Sequence, residues 1–102
     1  MYEIYLMCQA TAQGDSSRML ALTDHGTLIT IPFVFYCLKG PGGPLVVDTG
    51  FREVDFKSRN RPMQGFRPPE ALLGALGVDP ASVSLVIMTH LHWDHFDAHS
   101  LY

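Results

Sequence analysis

The run His90-Leu91-His92-Trp93-Asp94-His95 places three imidazoles and a carboxylate within six consecutive positions. In extended chain, side chains two residues apart project to the same side, so His90 and His92 can converge on one metal ion. Where the chain turns into the next element, Asp94 and the adjacent His95 point elsewhere and can hold a second ion close by. Neutral imidazole with carboxylate is a borderline donor set that suits Zn²⁺, with Fe, Co or Mn also accommodated. Two ions roughly 3.5–4 Å apart share a bridging hydroxide, a nucleophile available at neutral pH, and polarise a carbonyl or phosphoryl oxygen. The chemistry is metal-assisted hydrolysis. The bland alternative is a solvated, His-rich helix start, where three histidines would add little stability. His25, in the turn-like TDHGT, and His99, beyond the cluster, are expected on the surface.

Such a cluster needs a frame. Residues 83–88 (VSLVIM) run directly into it and form a nearly continuous apolar stretch, the mark of a strand covered on both faces. Functional residues at the carboxyl end of a buried strand are the usual arrangement in layered α/β proteins. Upstream, residues 2–8 (YEIYLMC) read as a first strand, and 13–17 (QGDSS) carry turn chemistry. Residues 31–38 (IPFVFYCL) are aromatic and β-branched, a largely buried strand. The Gly-Pro-rich 40–44 segment then breaks the pattern and 45–48 (LVVD) resumes it, which predicts a hairpin. That link is no phosphate loop: its two prolines remove amide donors, and no Lys-Ser/Thr or helix follows. A basic stretch, 51–68, is expected as a surface loop, and its Phe56 and Phe66 are the candidate walls of a substrate site. A helix follows at 68–77, with Pro68, Pro69 and Glu70 in its first turn, an apolar stripe of Leu72, Leu73 and Leu76, and Gly77 as its stop.

Composition narrows the function classes. With 102 residues, 47% hydrophobic content and a net charge of −3, the chain has the size of one small domain or a piece of a larger one. That mild charge offers no attraction to nucleic acid or to an anionic membrane surface. The start carries an acid in place of a basic segment, and no stretch reaches membrane-spanning length, so a soluble, cytoplasmic protein is expected. Cys8 and Cys37 each lie in an apolar run and are expected as reduced thiols.

Asp48-Thr49-Gly50 after two valines also has the look of the aspartic-protease signature, in which Asp48 would share a proton with a symmetry mate. Phe51 stands where that signature takes a small residue, and the reading leaves the histidine cluster unexplained. A non-catalytic metal-binding protein is a further alternative, which leaves the hairpin and the final strand without a purpose.

THLHWDH after an apolar strand, with LVVDTG upstream, resembles the metallo-β-lactamase-fold hydrolases, and within them the N-acyl homoserine lactonase-like branch. The likeness extends over nearly the whole chain: the MYEIY strand, the FVFYCLKGPGGPLVVDTGF hairpin, the PPEALLGALGVDPASV helix and turn, and VIMTHLHWDH. It implies an α/β (α+β) fold, the N-terminal half of an αββα sandwich, with a mixed sheet and a flanking helix. It also implies two Zn²⁺ ions, His90 and His92 on the first, Asp94 and His95 on the second. Asp48 becomes a supporting carboxylate that steadies the motif loop, and Asp94 additionally orients the bridging hydroxide. The implied reaction is hydrolytic opening of a small-molecule lactone or related ester, with a glyoxalase II-like thioesterase or a phosphodiesterase as alternatives. The family carries further ligands downstream, one more His for each metal and a bridging Asp, which FDAHSLY does not supply. Residues 1–102 are therefore expected to be the truncated N-terminal part of a single domain, inactive alone.

Overall fold

The structure, a computed structural model, describes residues 1–21, 25–57 and 62–102. Its frame is a four-stranded sheet in the order β1-β2-β3-β4. β1 (Glu3–Asp15) and β2 (Leu28–Lys39) pair antiparallel, and β3 (Leu45–Val47) returns antiparallel to β2 across the Gly-Pro turn. β4 (Val86–Ile87) lies parallel to β3. Parallel neighbours need a crossover, and this one carries α1 (Glu53–Lys57) and α2 (Pro69–Ala75). A short helix, α3 (Trp93–Phe96), follows β4. The architecture is the expected α+β arrangement of mixed sheet and flanking helix.

Alternation along the strands decides which face is covered. Tyr5, Cys37, Val46 and Val86 stand opposite one another across all four strands. Cys37 and Val46 are wholly buried, and with Met7 and Phe35 they pack against Leu72 and Leu73 of α2 and against Val78 and Val83. Burial of each leucine contributes about 1.5–3 kcal/mol. Pro69 opens α2, and Gly77, at φ 71°, lets the chain leave it in the left-handed conformation that a side chain resists. The opposite row is Leu6, Tyr36, Val47 and Ile87. Leu6 and Ile87 in it are exposed. Both cysteines are free thiols.

Four expectations change, each for a tertiary reason. β1 does not stop before Gln13: it runs through the predicted turn to Asp15, because Gln13, Gly14 and Asp15 pair with Thr30, Ile29 and Leu28. Partner strand outweighs local turn chemistry, and the chain reverses only after Ser16. β2 correspondingly begins at Leu28, three residues earlier than expected. The 51–68 stretch is not all loop, since Glu53 and Asp55 in the first turn of α1 and Lys57 in its last complement the helix dipole. Arg59 and Arg61 of that stretch lie outside the described residues, as does the side chain of Phe56. Finally, the described residues do not cover the 83–88 run on both faces. Among them only Val86 and Ile87 of that run pair as strand, and Leu85 and Ile87 are 51% and 46% exposed because α2 and its neighbours lie on the other face.

Candidate metal centre

β3 and β4 run side by side in the same direction, so the residues that leave them emerge at one edge of the sheet. The Asp48 amide donates to the Ile87 carbonyl at 2.8 Å and carries the parallel pairing one step past β3. Asp48 then adopts φ 63°, a left-handed conformation that aspartate tolerates better than most side chains. From there the turn is laced to the end of the motif. Thr49 donates to the His95 carbonyl from its amide at 2.8 Å and from its hydroxyl at 3.0 Å, and the Ala98 amide donates to the Gly50 carbonyl at 3.1 Å.

The result is a buried carboxylate, 3% exposed, at the back of the histidine cluster. Asp48 Oδ1 accepts from the Thr89 amide at 2.8 Å, and the Thr89 hydroxyl lies 2.9 Å from Oδ1 and 2.7 Å from Oδ2. His95 Nδ1 approaches Oδ2 at 2.7 Å. Burial by itself would push the Asp48 carboxyl up. The hydrogen bonds from Thr89 and His95 outweigh it and hold the carboxyl below its usual range. Both oxygens are thus engaged within one chain, and neither is available to share a proton with a symmetry mate, as the protease reading requires.

Thr89 links this carboxylate to the first histidine, its hydroxyl 2.9 Å from His90 Nδ1. The rings of His90 and His92 have centres 4.6 Å apart, and His90 and His95 are closer still at 4.1 Å. Asp94 Oδ2 stands 3.4 Å from His95 Nε2. The structure therefore gathers all four motif residues, although among the described residues no three His, Cys, Asp or Glu side chains form a ready-made ligand set. The donor chemistry fits a cation. His95 turns Nδ1 to a carboxylate, which can only accept, so Nδ1 carries a proton and Nε2 is left to face Asp94. A nitrogen and a carboxylate oxygen in that arrangement can take a cation between them. Carboxylate, imidazole, then metal is a common order of such contacts.

Beside the cluster lies an open cleft of about 370 Å³, bounded by Met19, Ile31, Pro32 and Phe33 opposite His92, Asp94 and His95, with Arg18 at its side. The wall comes from β2 and the turn after β1. Phe66, expected there, instead packs on Phe51 with ring centres 5.5 Å apart. Trp93 turns away from its flanking ligands and meets Phe51 at 5.0 Å and Phe33 at 5.8 Å. His25 is exposed, and His99 is exposed and stacks on Phe96 at 4.4 Å, apart from the cluster.

Two supporting residues escaped the sequence reading. Thr89 is one; its only signal is a hydroxyl next to a ligand. Gln9 is the other, and it sits at a β-bulge between Cys8 and Ala10 that turns its side chain inward. Its amide donates to the Phe51 carbonyl at 2.9 Å and accepts from the Phe51 amide at 3.0 Å. A Cβ at Gly50, φ 75°, would collide with that amide. A polar residue on the inward face of an apolar strand was the available signal.

Fold and site together define an α+β sheet protein with a histidine–aspartate cluster at the ends of two parallel strands. The profile of the Metallo-beta-lactamase superfamily matches residues 33–97, and the chain belongs to that superfamily. It is 26% identical over 105 aligned residues to an N-acyl homoserine lactonase of Bacillus cereus, covering 91% of this chain and 42% of that one. A crystal structure of a quorum-quenching N-acyl homoserine lactone lactonase superposes with a TM-score of 0.77 at 28% identity, covering 97% of this chain and 41% of its own. A B. thuringiensis AiiA mutant with N-decanoyl-L-homoserine bound at its active site superposes at 0.75 with 25% identity, covering 97% and 44%. The chain thus spans less than half the length of these relatives.

Proposed function

We propose that the chain supplies part of the ligand set of a zinc-dependent hydrolase that opens a lactone or related ester, with His90 and His92 on one ion and Asp94 and His95 on a second. The observation that carries this reading is the line from Asp48 through His95 to Asp94, with contacts of 2.7 Å and 3.4 Å at the two ring nitrogens. It aims an imidazole nitrogen and a carboxylate at one point. Bound zinc supplies Lewis acidity toward the ester carbonyl and activation of water at neutral pH, and Fe, Co or Mn suit the same donors.

The chain's own residues orient the reaction. Asp94 accepts a hydrogen bond from the attacking water and aims it, while Asp48 holds His95 and the motif loop. The water oxygen bonds to the carbonyl carbon, the acyl C–O bond breaks, and the leaving oxygen takes the proton, which turns a lactone into a hydroxy acid. The cleft supports a substrate with its carbonyl at the cluster and an apolar remainder against Met19, Ile31 and Phe33. The lactonase relatives support the lactone class. Their greater length supports placing the remaining ligands outside these 102 residues, which then form the N-terminal part of one domain and are inactive alone.

Equilibrium dialysis of the purified chain against Zn²⁺ tests the ligand assignment. Weak uptake is expected, lost when His90 and His92 are both replaced by Ala. Uptake unchanged in that variant would refute the assignment, and two tightly held ions per chain would refute the shared site. Joined to a segment that supplies the remaining ligands, the extended protein should open N-acyl homoserine lactones in a chelator-sensitive manner. Metal binding without hydrolysis by the extended protein would favour a storage role.

A further inference from the structure

We propose that Thr89 is a positioning residue that sets the tautomer of His90, so that Asp48 governs two imidazoles at once. Its consequence for metal binding rests on the reading above. The geometry leaves one arrangement of protons. Asp48 is a carboxylate and only accepts. The Thr89 hydroxyl, which has a single proton, lies 2.7 Å from Asp48 Oδ2 and 2.9 Å from His90 Nδ1. Were that proton given to His90, lone pairs of Thr89 and Asp48 would face each other at 2.7 Å with nothing between them. Given to Asp48, it leaves a Thr89 lone pair that accepts from His90 Nδ1–H.

A neutral His90 then presents the lone pair of Nε2, the donor that a cation needs. Asp48 imposes the same state on His95 by direct contact at 2.7 Å. One buried carboxylate therefore sets two rings, one directly and one through a hydroxyl. His92, whose ring nitrogens make no hydrogen bond among the described residues, is an internal control.

Thr89→Val keeps the branched shape and the backbone amide that binds Asp48 Oδ1 at 2.8 Å, and it removes only the hydroxyl. Two-bond ¹H–¹⁵N correlation spectra of the metal-free chain in mildly alkaline buffer read each ring's tautomer. In the parent, His90 and His95 should be single Nδ1–H forms. In Thr89→Val, His90 alone should become a mixture, and Thr89→Ser should restore it. Zinc affinity, read by competition with a chromogenic chelator, should fall about tenfold in Thr89→Val and recover in Thr89→Ser. An Nε2–H form of His90 in the parent overturns the proposal, as does an unaltered His90 in Thr89→Val or a mixture in Thr89→Ser. If Thr89→Val does not fold, the parent and Thr89→Ser spectra decide. A parent with the expected tautomers that takes up no zinc overturns the metal reading and supports the tautomer assignment.

Discussion

The carboxylate of Asp48 meets Nδ1 of His95 at 2.7 Å across 47 positions of sequence. The contact exists because β3 and β4 are parallel and end together, so that a turn after one strand and a motif after the other share an edge. The aspartate stands at φ 63°, where the backbone is held by the Ile87 and His95 carbonyls.

Asp48→Asn should leave this backbone in place, since asparagine tolerates the left-handed region. It puts an amide donor opposite His95 Nδ1, which must then accept, and the ring's proton moves to Nε2 where a metal would bind. Zinc affinity should fall by about tenfold to a hundredfold. Competition with a chromogenic chelator measures it. An affinity equal to the parent's would remove Asp48 from any role in orienting the ligands.

Gln9→Leu keeps volume and deletes the amide that serves Phe51 as a substitute strand partner. The Phe51 N–H and carbonyl are then left buried without a partner, at a cost of about 2–3 kcal/mol. Urea unfolding followed by circular dichroism should show that loss as a lower midpoint. A midpoint like the parent's would mean that water or a backbone shift satisfies Phe51.

The contrast between Gln9 and the histidine cluster shows what was legible in the sequence. His90, His92, Asp94 and His95 sit close together, and their spacing and position after an apolar run need no knowledge of the rest of the chain. Asp48 was readable through its Val-Val-Asp-Thr-Gly context, and the hairpin and α2 through turn residues and an apolar stripe. Gln9 and Thr89 act through partners dozens of residues away or through one hydroxyl, and the local signal of each, a polar residue in an apolar strand or a hydroxyl beside a ligand, does not name the partner. The long β1–β2 pairing was hidden because the turn chemistry of Gly14 and Asp15 is local while the register with Ile29 and Leu28 is not. The run ending at Met88 misled because continuous hydrophobicity records an apolar surface without recording what covers it. The described residues cover one face.

Trp93, the single tryptophan, stands between His92 and Asp94 and packs against Phe51 and Phe33. Trp93→Leu should cost about 1–3 kcal/mol through loss of those two aromatic contacts. In the parent, its emission should change as Zn²⁺ is added, with the same midpoint that chelator competition gives. Emission that stays flat through such a titration would place the metal away from this motif.

Tyr102 closes the core beneath the turn, its hydroxyl donating to the Thr49 carbonyl at 3.0 Å. Burial, aided by nearby Cys37 and Glu70, raises its phenol well above the ordinary tyrosine value. An unfolded tyrosine ionises near pH ~10. Above that pH the unfolded chain has released a proton that the native chain keeps, so stability falls as pH rises; below it both forms are protonated and the contribution is level. Cys37, whose thiol burial also pushes up, adds an earlier decline on the same side. Tyr102→Phe removes the phenol and leaves Cys37, so the difference between the two proteins isolates the tyrosine. At neutral pH the variant should be about 1 kcal/mol less stable for want of the hydrogen bond. In alkaline urea titrations its stability should decline less steeply than the parent's, and the gap between them should narrow as pH rises. Parallel declines would place the Tyr102 phenol in contact with water.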